Sequence, residues 1–232
     1  MPSDLVLDLL RRRLRGDGSA PLLTYYDPAQ GQRTELSVRS FANWVDKTSN
    51  LFADFDVEDG VVAGEVSRTH PGHWLSLILP LAAWQAGATY RPAEDADAAV
   101  VIVGPNAPRV IVPGATLACS LHPFALPLSP LPVGVLDFNS EALAQPDQPW
   151  HPVPPRADGE AWSEDGRRLT HAEVAATPAV AGRRLVRATT PWETVAAGIV
   201  APLLGGGSTV LLVGEVDDAQ EARIRAAERC VE

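Results

Sequence analysis

The run Ala82-Ala83-Trp84-Gln85-Ala86-Gly87-Ala88-Thr89-Tyr90-Arg91-Pro92-Ala93-Glu94 sits where an apolar segment gives way to a polar one. Upstream of it, Trp74, Leu75, Leu77, Ile78, Leu79, Leu81 and Trp84 leave little polar face, so residues 72–85 are predicted as a buried helix. Gly87 suits the C-terminal cap, where the chain turns into the left-handed region. Short apolar runs on either side, at 61–66, 99–103 and 115–120, read as strands. The last two are apolar without alternation, as strands of a parallel sheet are when both faces are covered. Strands alternating with helices predict a doubly wound α/β layer fold.

Working outward, residues 3–15 read as a short amphipathic helix. Residues 22–27 and 33–36 form a predicted hairpin around the turn chemistry of Pro28, Ala29, Gln30 and Gly31. Ser37 is a natural N-cap, and Val38, Phe41, Val45, Thr48, Phe52 and Phe55 then recur at helical spacing. Between Pro123 and Pro155 nine prolines break the pattern, giving either an ordered irregular connection or a flexible linker. Beyond it, helices at 170–181, 193–204 and 217–231 alternate with strands at 184–188 and 208–213. The expected organisation is a first α/β half over 1–122 with the N-terminal helix and hairpin, then a proline-rich connection over 123–158. A second segment over 159–232 is expected to pack on the same sheet, within one compact domain.

Composition narrows the function classes. The formal charge of −10 is the wrong sign for nucleic acid, whose phosphates need Lys and Arg, and for an anionic membrane surface. The most apolar stretch, 74–88, is too short to span a bilayer and contains Pro80. The first fifteen residues hold Asp4, Asp8 and an arginine cluster rather than the apolar core of a signal peptide. With only Cys119 and Cys230, far apart, no disulfide framework is implied, and a reducing cytoplasm is the expected compartment. Of nineteen basic residues eighteen are Arg, and Lys47 is the sole lysine, so chemistry that needs two lysines is excluded.

Several local patterns lead away from chemistry. Gly205-Gly206-Gly207-Ser208-Thr209 follows a helix and precedes a strand, the reverse of a phosphate cradle, and reads as a helix cap and tight turn. His70 and His73 with Cys119 and His122 offer zinc-type ligands, but their spacing is not that of a compact knuckle, and no metal site is expected. Glu94, Asp95 and Asp97 read as a solvated acidic loop. No Gly-x-Ser-x-Gly elbow is present.

The opening run resembles the "Lys-Ala-Gly-x-x-Tyr-x-Pro" signature of the adenylate-forming (AMP-dependent) synthetases and ligases, which include acyl-CoA synthetases and the adenylation domains of peptide synthetases. Residues 36–52 are similar to the first signature of that superfamily. Gly166-Arg167-Arg168-Leu169-Thr170-His171 resembles the Thr-His stretch that follows its phosphate loop, and 192–213 its next helix, glycine turn and strand. The resemblance runs over roughly residues 22–214, the N-terminal part of such an enzyme. It implies the fold of the N-terminal subdomain, and it places Arg167, Arg168, Thr170 and His171 beside a nucleotide site and Thr189, Thr190 and Trp192 near an acyl pocket.

The departures from that pattern point to a degenerate ligase. Where the superfamily has a Ser/Thr/Gly-rich loop ending in Lys, this chain reads Glu160-Ala161-Trp162-Ser163-Glu164-Asp165-Gly166-Arg167. Three carboxylates replace a cation at a site for triphosphate, where a pair of charges in contact is worth roughly 4 kcal/mol. Arg167 and Arg168 could compensate only in part. Lys47 matches neither lysine of the superfamily, and its later adenine, ribose and adenylation motifs are not found before Glu232. Expected, then, is a ligase-like domain with no catalytic residue, no bound ATP or magnesium, and a small-molecule or partner surface. Two alternatives accompany it: a ligase subunit completed by a complementary chain, and a structural homodimer module.

Overall fold

The computed structural model describes residues 4–106 and 114–231. In chain order the elements are α1 (Val6–Asp17), β1 (Pro21–Asp27), β2 (Gln32–Ser37), α2 (Val38–Ala53), β3 (Val61–Gly64), α3 (Glu65–Thr69), α4 (Trp74–Gln85), β4 (Thr89–Arg91), β5 (Val100–Val103) and β6 (Ala115–Ala118). There follow β7 (Val135–Asp137), α5 (Phe138–Ala144), β8 (Glu160–Glu164), β9 (Arg167–Thr170), α6 (His171–Ala175) and β10 (Arg183–Arg187). Last come α7 (Pro191–Val195), a π-helical turn (Ala196–Val200), α8 (Ala201–Gly205), β11 (Ser208–Leu212) and α9 (Asp218–Ala227).

These strands make two sheets. The larger runs β7-β6-β5-β3-β4-β8-β9, parallel throughout except for the antiparallel β8–β9 pair. In it the chain leaves β3 for β4 on one side and returns to β5 on the other, so β3 is the point where strand order reverses. The smaller runs β10-β11-β1-β2. Its β1 pairs in parallel with β11, with Leu23 opposite Thr209 and Tyr26 opposite Leu212. The expectation of a second segment on the same sheet is thereby corrected: β8 and β9 extend the large sheet, whereas β10 and β11 join the N-terminal hairpin. Apolar runs specify that a strand is covered on both faces, but not which strand lies beside it.

The main core fills the space between the sheets. α4 is buried at every position, as its missing polar face required, and α2 packs along it. Val100 and Ile102 of β5 face this core while Val101 and Val103 face a second cluster on the outer side, with Leu128 and Leu131 of the proline-rich segment. In β11, Leu211 points inward and Val210 and Leu212 pack on Ile224 of α9. In β6, Ala115 and Leu117 likewise face the main core and Ala118 the outer cluster, so the apolar runs at 99–103 and 115–120 are both covered on two faces. The proline-rich segment is ordered, and α2 holds it. Asn50 donates to the carbonyls of Pro146 and Gln148 and accepts from the Trp150 amide at 2.8 Å. Within the segment, Asp137 caps α5 through the Ser140 amide.

Where bounds shifted, local chemistry explains it. The helix expected over 170–181 stops at Ala175, because Pro178 disfavours helical backbone at Thr177. The helix expected from 193 begins at Pro191, a residue suited to a first turn, with Thr190 as N-cap. The glycine run is a helix terminus as expected, Gly206 taking φ 72° at the end of α8. Among the described residues no helix is long and apolar enough to cross a membrane.

Candidate functional site

The residues that the sequence resemblance sets at the superfamily's phosphate loop form the β8–β9 hairpin. Its turn is only Asp165-Gly166, both at positive φ (43° and 81°), which a two-residue hairpin loop demands. Glu164 pairs across the ladder with Arg167, and Ser163 with Arg168. Ala161 and Trp162 are fully buried on β8, while Arg167 and Arg168 are exposed on β9. Arg168 donates to Glu160 at 3.2 Å. Burial raises the Glu164 carboxyl above its ordinary value, against an opposing hydrogen bond from the Trp162 indole at 3.3 Å. Arg167 also acts on it favourably. A small cavity of about 320 Å³ lies beside the turn, lined by Arg68, Arg91, Ser163, Glu164, Asp165 and Thr190. Its two arginines are engaged, Arg91 with Asp95 and Arg68 with Glu65. No sequence signal marked Arg68 for this wall; it comes from α3, far from the hairpin in the chain.

The remaining site candidates have structural partners. Thr170 caps α6 in a reciprocal capping box with Glu173. His171 lies buried edge-on to Trp84 at 5.7 Å, and burial lowers its pKa to about 4. The Thr189 hydroxyl donates to Glu193 at 3.0 Å, and its amide donates to Thr194. Thr190 caps α7. Trp192 packs tilted against Trp162 with ring centroids 5.2 Å apart, and Trp162 in turn against Tyr90 at 5.5 Å, so aromatic rings fill the interior behind the hairpin. The fold thus brings Arg167, Arg168, Thr190 and Trp192 to one neighbourhood, while Thr170 and His171 serve the start of α6.

Two further surfaces flank this region. Along the sheet edge at β10, an apolar groove of about 430 Å³ runs between Leu185, Val186, Val180, Trp192, Ala196 and Ala197. A cleft of about 650 Å³ opens between the two sheets and includes His70 and His73. His73 caps α4, Cys119 is buried with its thiol pushed up to about 12 by desolvation, and His122 stacks on Phe124 at 5.8 Å. Among the described residues no group of three or more His, Cys, Asp or Glu could hold a metal ion. Lys47 is far from the hairpin's chemistry: its ammonium pairs with Asp147 at 2.8 Å and donates to the Leu143 and Gln145 carbonyls, tying α2 to the proline-rich segment.

No family profile matches the chain. A TIGR03089 family protein of Mycobacterium tuberculosis is 32% identical over 244 residues, covering 98% of this chain and 97% of that protein. Among solved structures, an acyl-CoA synthetase of Brucella canis superposes with a TM-score of 0.70 at 18% identity, covering 99% of this chain and 47% of its own. A nonribosomal peptide synthetase matches with a TM-score of 0.67 at 18% identity over 99% of this chain and 25% of its own. Acetoacetyl-CoA synthetase from Streptomyces lividans matches at 0.67 and 16%, over 97% of this chain and 41% of its own. The chain spans less than half the length of these solved structures, and its fold is that of the N-terminal part of an acyl-CoA synthetase.

Proposed function

The chain belongs to the TIGR03089 family, and we propose that it is an acyl-CoA-synthetase-like domain without adenylating activity, in which binding has replaced catalysis. One observation carries this reading: the loop that would cradle a triphosphate is a closed two-residue turn that contains Asp165 and follows Glu160 and Glu164 on its strand. Adenylation needs preorganised donors and cations aimed at charge on the transferring phosphate. Here Arg168 is spent on Glu160, Arg167 faces Glu164 and Glu193, and Lys47 is bound elsewhere. The buried Trp162 and the rings packed against it also fill the interior behind the turn.

ATP–pyrophosphate exchange by the purified chain, with a panel of carboxylic acids, is expected to stay at the enzyme-free background. Titration calorimetry with ATP should give no micromolar binding. Robust exchange would overturn the reading, and micromolar ATP binding would show that Arg167 and Arg168 replace the lost loop.

A second reading, in which another chain or a second copy covers part of this domain, is favoured by the groove at β10. An edge strand beside an apolar groove invites pairing or burial.

A further inference from the structure

α9 lies on the outer face of the small sheet, and charge more than apolar burial fastens it there. Of its ten residues only Ile224 is buried, against Val210 and Leu212 of β11. A helix with so narrow an apolar stripe gains little from the hydrophobic effect. Its hold comes from two carboxylates seven residues apart, Glu221 within the helix and Glu228 at its C-cap.

Both carboxylates meet arginines of β10. Arg187 donates to Glu221 through Nε at 3.0 Å and through Nη2, and its Nη1 reaches the Gly214 carbonyl at 3.4 Å. Glu228 accepts from Arg183, from Arg33 of β2 at 3.0 Å, and from the Tyr26 hydroxyl of β1. The spacings match. Four strand residues span about 13 Å and seven helical residues rise about 10.5 Å, so a helix antiparallel to β10 sets both pairs at once. The charges around them are Glu35, paired with Arg33 at 2.7 Å and 3.9 Å from Arg183, and Arg225, paired with Glu221 at 2.8 Å. Burial opposes ionisation of Glu228, but the hydrogen bonds from Tyr26, Arg183 and Arg33 together hold its carboxyl below the ordinary value. Beyond the helix the Val231 amide donates to the Arg183 carbonyl at 2.8 Å, a tether that opening must also break.

Elements with few buried apolar contacts open at lower free energy than the core does. What α9 covers continues a surface already described. Leu185 belongs both to the cluster under α9 and to the wall of the β10 groove. Lifting the helix would therefore lengthen that groove over Val210 and Leu212. We propose that α9 is a charge-latched strap: closed, it covers the outer face of the small sheet, and release of Glu221 and Glu228 joins that face to the β10 groove. The latch stands on the ion pairs themselves, whereas its use to a partner rests on the reading in which another chain covers the groove.

Hydrogen–deuterium exchange of the full chain, read by mass spectrometry, compares the amides of α9 with those of α4, which is buried throughout. Going from 0.1 to 1 M NaCl shortens the screening length from about 10 to about 3 Å. The Glu221–Arg187 pair is part-exposed, so exchange in α9 should rise at least ~3-fold while α4 keeps its rate. Glu228→Gln keeps the shape and an acceptor for Tyr26 but withdraws the charge that Arg33 and Arg183 face. At 0.1 M NaCl its α9 should exchange at least ~10-fold faster than that of the unsubstituted chain. Ile224→Ala is the contrast, loosening α9 at both salt concentrations and leaving their ratio unchanged. A helix held by its apolar side alone would exchange no faster in salt. A response of α9 below ~3-fold, α9 and α4 rising together, or Glu228→Gln exchanging no faster than the unsubstituted chain would each overturn the proposal. These outcomes are separate from pyrophosphate exchange and from the mass of the particle in solution, which report on the hairpin and on the groove.

Discussion

At the scale of single residues, His171 shows how a group assigned by resemblance to a nucleotide neighbourhood has an energetic role of its own. Its ring sits against Trp84, whose indole donates to the Ala161 carbonyl at 2.6 Å, and burial alone lowers its pKa to about 4. An unfolded histidine titrates near 6.5, so between these values the unfolded chain binds the extra proton and stability falls as pH falls. His171→Phe should flatten that dependence. Unfolding free energies from urea titrations at pH 7 and 4.5 are expected to differ by about 1–2 kcal/mol less in the variant, roughly half the full-shift value because part of the ring is screened by solvent. Of the site candidates, Thr170 read as the first residue of a helix and Thr190 only as a neighbour of an acyl pocket, because their roles as caps depend on where each helix begins. The burial of His73 was not legible at all, because it comes from elements distant in the chain.

Elements were read well where periodicity and composition agreed. α4 betrayed itself by lacking a polar face, and Ser37 by preceding a helical stripe. The π-helical turn between α7 and α8 carried no such mark, since one extra residue in a helical ladder leaves every amino acid acceptable. Its consequence is geometric: it sets the rotation of α7, and with it the seat of Trp192 on Trp162. Deleting Ala197 should restore a regular ladder and turn α7 by about 100° relative to α8, given 3.6 residues per turn. Near-ultraviolet circular dichroism and tryptophan fluorescence should then report loss of the Trp162–Trp192 contact, while far-ultraviolet helicity is kept. An unchanged aromatic signal would show that the turn does not position Trp192. The β8–β9 hairpin was half legible: its acidic composition was plain, but its closure into a two-residue turn emerges only from the Asp165 and Gly166 backbone angles.

For the whole molecule, the open question of partnership comes down to the groove at β10. If the domain acts alone, light scattering after size exclusion should return the 24.7 kDa of one chain. Twice that mass, reverting to one chain in Ala197→Glu, would favour a second copy over the groove, because Ala197 is exposed there and a carboxylate tolerated by the monomer would be stranded in an interface. The fold class was legible from alternating strands and helices. The division into two sheets was not, because strand neighbours are chosen by long-range packing rather than by any local pattern.

That division has a consequence in time. β1 emerges from the ribosome well before its parallel neighbour β11, so Leu23 must wait for Thr209. At ~5–20 residues per second the delay is on the order of ten seconds or more. Throughout it, the N-terminal hairpin has one edge unpaired and Leu22 and Leu23 without their final cover. Residues of β1 are thus made long before the neighbour that locks them in place, and the finished small sheet is a record of β11 having arrived.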